Sequence, residues 1–500
     1  MLSAGTALFD CYRQQWPLAR RILVLAGPGN NGGDGYVVAG LAAEAGHDVS
    51  LIGFGEPAAG GDADRFRQQW LAAGGEVADP AEFDSSDQHI ARYDLVVDAL
   101  LGTGLSRAPA QPMAIWIEAV NRSLVPCIAV DVPSGLDSDT GAIPGVAIAA
   151  QSTVTFIGRK QGLYTGHGPQ QCGNIQFADL GVPAAIYASI SANSRLITAG
   201  SRHLPMFPPR LRGSHKGDFG HLLLIAGGEG MAGAAIIAGS AALRAGSGLV
   251  SLAVHPSNAA AVVNARPEMM VHGVQGADDL TPLLERADVV AIGPGLGQKS
   301  WAQQLWQALE PFKGPMVVDA DGLNLLAQSP AQRHNWVLTP HTGEAGRLLS
   351  SSVEEIERNR FVAVSALHQK YSGTVVLKGA GTLIQSNETL PTVIDGGNPG
   401  MASGGMGDAL TGIIGAFLAQ GLDTEDAATL GVAAHAWAGD RVASEHGERG
   451  MLASDLIDDL PETINGTQRF MKSPKSASGK LEHPLSKPEE NGSAHSIFSR

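Results

Sequence analysis

Cysteine is scarce in this 500-residue chain: there are three, Cys11, Cys127 and Cys172, and no C-x-x-C pair among them. Such spacing supports neither a disulfide framework nor a structural zinc site, and it fits a reducing cytoplasm. Basic residues are also in short supply. Lys and Arg number 34 against 49 Asp and Glu, and the net charge of -15 argues against nucleic acid or an anionic membrane as the main partner. Small molecules are the better expectation. The N-terminus, MLSAGTALFDCYRQQW, has no basic segment followed by a clean apolar core, so it does not read as a signal peptide. The longest apolar stretch, AGAAIIAGSAALRAGSGLV, is Gly/Ala-rich and interrupted by Arg244, which predicts a packed helix rather than a membrane span.

One further absence is local. GMASGGMGDALTG, residues 400–412, has the glycines and the apolar helical continuation of a phosphate loop but not its lysine, because Asp408 follows Gly407. A carboxylate there repels phosphate unless cations and amides neutralise the anion. In that case it can accept the proton of an attacking hydroxyl.

What is present points to α/β architecture. Hydrophobic residues make up 44% of the chain and glycines number 64, enough for two or three domains with cores of their own. Strand-like runs alternate with helical stretches twice over: RILVLAG, DVSLIGFG, DLVVDALLG, PCIAVDVPSG and STVTFIG, then HLLLIAGG, LVSLAVH, DVVAIGPGLG, MVVDADGLN, NWVLTPHTGE and TVVLKGAGT. Many are continuous apolar runs, as buried parallel strands are. RHLPMFPPRLRGSHKG marks a linker near 200–215, so we read domains over 1–200 and 201–466. The polar Ser/Pro/Lys-rich tail, 467–500, is expected to be disordered.

In the first half, GPGNNGGDG (27–35) satisfies G-x-G-x-x-G, but the ribose-binding acid expected at the end of the second strand is missing or displaced to Glu56. DALLGTG and DVPSGLD then place Asp98, Asp131 and Ser134 at the ends of later strands. In a parallel sheet these ends line one crevice, where Asn30, Asn31, Asp34, Asp98, Asp131 and Ser134 supply oxygen ligands for a hard cation and one carboxylate for proton work. NNGGDG, DALLGTG and DVPSGLD resemble the epimerase domain of the NAD(P)H-hydrate repair proteins, which interconverts the R and S forms of NADHX and NADPHX on a Rossmann-like sheet. The resemblance implies hydrate contacts from Asn30, Asn31, Gly32, Gly33 and Asp34 and from Gly102, Thr103, Gly104, Leu105, Ser106, Arg107 and Ala108. It also implies a potassium ion held by Asn31, Asp98 and Ser134, and Asp131 as substrate contact and catalyst. The chain starts within what resembles the end of the family's first helical segment, which predicts an exposed apolar face or weakened dimerisation.

In the second half, AIGPGLG, DADGLN, TPHTGE and KGAGT each stand at a strand end. Lys378 and the glycine turn after it can embrace phosphates, and Glu344 reads as a first-turn acid complementing a helix dipole. With GNPGMASGGMGD, this order resembles the ADP-dependent NAD(P)H-hydrate dehydratase domain, a ribokinase-like α/β fold. The resemblance implies nucleotide contacts from Lys378, Gly379, Ala380, Gly381, Thr382 and Gly407. Hydrate contacts would come from Ala234, Gly295, His341 and Asp408, with Mg2+ and ADP taking part and Asp408 as catalyst. Thr342 stands where the family's TPHPGE has proline. The expected protein is thus a cytoplasmic, homo-oligomeric isomerase and lyase. The alternatives are a ribokinase-like small-molecule kinase with a non-catalytic ligand-binding first domain, and a first domain that has become an interaction module.

Overall fold

A computed structural model describes residues 1–471 apart from 106, 202, 203, 206 and 388, with side chains as far as 466. The tail anticipated from 467 onward lies outside the described residues, except that the backbone of the helix Ala453–Met471 runs into it.

Two sheets carry the chain. The first holds six parallel strands: β1 (Arg21–Ala26), β2 (Asp48–Gly53), β3 (Leu95–Ala99), β4 (Cys127–Val130), β5 (Ser152–Phe156) and β6 (Asn174–Ala178). Their order is β2-β1-β3-β4-β5-β6. Alternation along one strand shows why it is buried on both faces: Ile22, Val24 and Ala26 enter one apolar cluster, Leu23 and Leu25 another. The order reverses between β1 and β3, and ligands of open α/β sheets bind at such a switch point, outside the carboxyl ends of the strands.

The second sheet has ten strands, ordered β10-β9-β8-β11-β12-β13-β14-β15-β16-β7. They are β7 (Arg195–Ile197), β8 (His221–Ile225), β9 (Leu249–Val254), β10 (Met270–Gly273), β11 (Val289–Ile292), β12 (Met316–Val318), β13 (Trp336–Leu338), β14 (Thr374–Leu377), β15 (Thr382–Gln385) and β16 (Thr392–Ile394). The strands from β10 to β14 are parallel and β14-β15-β16 is an antiparallel meander. Here the order reverses between β8 and β11. Residues 195–197, which precede the linker, pair with β16 and so extend the second sheet.

The halves also share a core. Val132, Leu136, Leu163, Tyr164 and Cys172 belong to the same apolar cluster as Leu377, Leu383 and Val393 of the second sheet. No helix among the described residues is long and apolar enough to cross a membrane.

Two Gly/Ala-rich helices, Ala232–Arg244 and Met406–Ala419, cover one face of the second sheet and pack closely. Gly412 makes this possible: a Cβ there would lie 2.0 Å from the backbone oxygen of Ala238. Gly412→Ala should therefore push the helices apart at a cost of about 1–3 kcal/mol. A Tm equal to that of the unsubstituted protein would contradict this close approach.

Candidate active sites

The first crevice opens where β1, β3, β4 and β5 end. Asn30–Glu44 is a helix, so Asn30 to Asp34 form its first turns, with Asn31, Gly32, Gly33 and Asp34 buried. Asp131 follows β4 in a left-handed conformation, φ 66°, which aspartate adopts more readily than most side chains. Three donors hold it: Thr155 Oγ1 at 3.2 Å, the Phe156 amide at 3.0 Å, and the Lys160 ammonium, which also donates to the Phe156 carbonyl at 2.8 Å. Asn30, Asp34, Thr103, Asp131 and Lys160 line one cleft of about 680 Å³. Burial lifts the Asp34 carboxyl to about 7, the nearby amino group of Met1 pulling it down and the charge of Asp131 pushing it up.

Asn31, Asp98 and Ser134 meet at the backbone of Leu101. Asn31 Nδ2 donates to the Leu101 carbonyl at 2.8 Å, and the Leu101 amide donates to Ser134 Oγ at 2.8 Å. Asp98 is fully buried and accepts from Ser134 Oγ at 2.5 Å and from the Ser134 amide at 2.7 Å. Burial raises its carboxyl to about 6, against the lowering effect of these bonds.

The stretch 102–108 divides between two clefts. Thr103 faces the cleft of Asp131, whereas Gly104, Leu105, Arg107 and Ala108 line a neighbouring one of about 790 Å³. Ser106 lies outside the described residues. Glu56, the displaced acid of the sequence pattern, lines this second cleft and pairs with Arg67 at 3.1 Å.

In the second domain the residues singled out at strand ends gather around a buried ion pair. Lys378, after β14, donates to Asp319 Oδ1 at 2.7 Å, and Thr411 Oγ1 donates to Asp319 Oδ2 at 2.7 Å. Glu344 Oε2 lies 3.8 Å from the same ammonium. Burial alone would raise the Asp319 carboxyl, but the charge and hydrogen bond of Lys378 and the Thr411 hydroxyl hold it below its usual range. Burial likewise opposes the charge on Lys378, and Asp319, Glu344 and Asp408 together keep its pKa above the ordinary value.

Asp408 stands in the first turn of Met406–Ala419, whose N-cap is Gly405 at φ 93°. Its carboxyl is pushed up to about 6 by burial and by the charge of Asp319, with Lys378 opposing. A Cβ at Gly407 would lie 3.4 Å from Lys378 Nζ, so the lysine missing from the glycine loop arrives from β14.

The remaining positions surround this centre. A Cβ at Gly295 would stand 2.9 Å from that of Ala234, so these two touch; one helical turn further on, the Ile237 side chain abuts Gly405. His341 caps the helix Thr342–Leu349: its Nδ1 accepts from the Gly343 amide at 2.9 Å, while the Glu344 carboxylate accepts from the His341 amide at 2.8 Å. The bond to Nδ1 assigns the imidazole proton to Nε2, on a side chain that is 54% exposed, and makes Glu344 the returning acid of a capping box. Among the described residues, no group of three or more His, Cys, Asp and Glu is arranged to hold a metal ion.

Lys160 was not singled out from sequence, although RKQG stands two residues past the carboxyl end of β5. Asp319 was noticed only as part of DADGLN; nothing in sequence couples it to a lysine 59 positions away.

A family model described as NAD(P)H-hydrate dehydratase matches residues 222–462, and one described as YjeF-related protein N-terminus matches residues 1–162. The bifunctional NAD(P)H-hydrate repair enzyme Nnr of Escherichia coli (strain K12) is 47% identical over 467 residues, spanning 93% of this chain and 89% of that protein. Its counterpart in Coxiella burnetii is 44% identical over 471 residues, spanning 93% and 94%. The chain belongs to the bifunctional NAD(P)H-hydrate repair enzymes. A solved ribokinase-like superfamily protein from Enterococcus faecalis V583 is also similar, 30% identical with a TM-score of 0.50 over 56% of this chain and 98% of that one. The protein is thus an isomerase and a lyase, with an epimerase domain followed by a ribokinase-like dehydratase domain; the small-molecule kinase is set aside.

Removing Asp319 takes the nearest counter-charge from Lys378, which is 19% exposed and keeps Glu344 at 3.8 Å. Asp319→Asn should lower the stability of the dehydratase domain by about 1–3 kcal/mol. Urea unfolding measures it, and an unshifted midpoint would show that the pair carries no such weight.

Proposed function

We propose that the two crevices divide the repair of hydrated NADH and NADPH between them: the first interconverts R- and S-NAD(P)HX, and the second dehydrates the S form at the expense of ADP. The observation that carries the second half is a half-buried carboxyl, Asp408, lifted to about 6 at a helix N-terminus beside Lys378. Phosphate binds readily at such an N-terminus, and a carboxylate of that pKa is a competent base near neutral pH.

Hydroxide is a poor leaving group from C6 of the hydrated nicotinamide ring; phosphate is a good one. Asp408 accepts the C6 hydroxyl proton as the oxygen takes the terminal phosphoryl group of ADP, and AMP leaves. Phosphate then departs from C6 while a proton leaves the neighbouring ring carbon, which restores the reduced nicotinamide. The turn from Lys378 through Gly379, Ala380 and Gly381 to Thr382, with Gly407, receives the nucleotide, and Ala234, Gly295 and His341 shape the hydrate pocket. His341 offers Nε2–H as a donor. Magnesium, when bound, would screen the charge of the nucleotide's phosphates.

In the first crevice Asp131 works on the proton balance of the hydrated ring, with Lys160 as its partner, while Asn30 to Asp34 and residues 102 to 108 hold the rest of the molecule. Asn31, Asp98 and Ser134 would hold a potassium ion: Asp98 is a fully buried carboxylate whose described partners, Ser134 and the Leu100 amide, are donors without charge, and Asn31 and Ser134 both bond to the backbone of Leu101. Such an ion would supply the missing positive charge. The three described cysteines are free and buried, which suits a reducing cytoplasm. Homo-oligomerisation and a partner list confined to small molecules complete the reading.

Asp408→Asn should bind nucleotide but dehydrate about 100- to 10,000-fold more slowly. In the unsubstituted protein, dehydration should fall about tenfold per pH unit below about 6, because the base is lost as its raised carboxyl takes up a proton. Normal turnover by the variant, or a flat profile down to pH 5, rejects Asp408 as the base. Asp131→Asn, given mixed hydrate epimers and ADP, should stop once the S fraction is consumed. Complete repair by that variant removes Asp131 from the epimerase chemistry.

A further inference from the structure

The dehydratase's nucleotide turn is gripped from the epimerase side of the molecule. After β5 the chain passes through Lys160 and a single 3-10 turn, Gln161–Tyr164, and reaches Thr165, which is fully buried. Thr165 Oγ1 donates to the Gly381 carbonyl at 2.9 Å and lies 3.3 Å from that of Ala380, and the Gly166 amide donates to Ala380 at 3.2 Å. Gly381 itself, at φ 60°, leaves no room for a side chain, since a Cβ would fall 1.7 Å from the Tyr164 carbonyl.

Arg360 closes the arrangement. It is 1% exposed, its Nε donates to Thr165 Oγ1 at 3.1 Å, and its Nη2 donates to the carbonyls of Leu377 and Lys378 at 3.2 and 3.1 Å. Glu357 balances its charge at 3.3 Å. The guanidinium fork therefore fastens the start of the 378–382 turn, and through the threonine hydroxyl it fastens the end. A buried arginine is costly to desolvate, so its presence under a surface turn calls for a reason beyond packing.

We infer that Thr165 and Arg360 are positioning residues for the nucleotide turn 378–382, so that the ADP affinity of the dehydratase depends on a segment belonging to the epimerase domain. The inference rests on the reading of that turn as the nucleotide site. Neither residue is placed to touch substrate; both act by holding the Lys378–Thr382 backbone so that its amides face the phosphates.

The test is steady-state kinetics of three full-length variants. Thr165→Val keeps the shape but removes the hydroxyl, leaving Arg360 Nε and the Gly381 carbonyl without their partner. It should raise KM for ADP about tenfold, with kcat within about twofold and epimerisation unchanged. Thr165→Ser, which restores the hydroxyl, should return KM to that of the unsubstituted protein. An unchanged KM in Thr165→Val overturns the inference, and so does a parallel loss of both activities or a failure of serine to rescue, since those mark a general packing role. Thr382→Glu separates the underlying reading: a carboxylate on the turn should repel the nucleotide and raise its KM. If Thr382→Glu leaves KM unaltered, the turn is not the nucleotide site. If it raises KM while Thr165→Val does not, only the positioning role is refuted.

Discussion

The pair formed by Lys378 and Asp319 is the constraint around which the dehydratase site is arranged. Asp319 follows β12 and Lys378 follows β14, so the bond spans the intervening β13 and ties the ends of its two neighbours. Thr411 adds the helix Met406–Ala419 to the same carboxylate, which sets where that helix begins and therefore where Asp408 stands. Two charges out of water repay their desolvation only when their geometry is good and their remaining valences are filled, and here Thr411 and Glu344 help to fill them. The pair also decides the chemistry of its neighbour. Asp408 is raised because it is half-buried and because Asp319 remains ionised, and Asp319 remains ionised because of Lys378.

This pairing alters what the lysine can contribute to binding phosphate. In a P-loop the lysine is free to give its charge to the anion; Lys378 already shares its own with Asp319. On the proposed reading, the work of receiving phosphate would then fall more heavily on backbone amides at the start of Met406–Ala419 and in the β14–β15 turn, which would make the conformation of that turn matter more than its charge. A turn that acts through its backbone must be held, and the hydrogen bonds of Arg360 and Thr165 end on its carbonyls.

How much of this could be read from sequence depends on how local each feature is. The strand runs were legible because continuous burial leaves continuous apolar residues, and RILVLA and HLLLI appear as β1 and β8. Asp408 was legible because one carboxylate in a glycine loop breaks a local expectation. Glu344 was legible as a first-turn helix acid, and it forms a capping box with His341. The partners were not legible: Lys160 for Asp131, Asp319 for Lys378, Arg360 for Thr165 are separated by 29, 59 and 195 positions, and no periodicity encodes which strand ends meet. Short strands such as β7 and β10 also escaped notice, because three or four residues on a sheet's margin carry too little pattern to register.

The linker shows the same limit at the scale of domains. Prolines and basic residues near 200–215 mark where the chain changes sheets in composition, yet β7 has already joined the second sheet at 195 and residues 163–166 are already packed against it. Composition responds to local solvent exposure, whereas membership of a core is decided by contacts made across the whole chain. The segment from Lys160 to Gly166 therefore reaches both regions: one end completes the surroundings of Asp131, and the other donates to the carbonyls of Ala380 and Gly381. One 3-10 turn separates the two ends, so the stretch that completes the surroundings of Asp131 reaches the second sheet with no linker between.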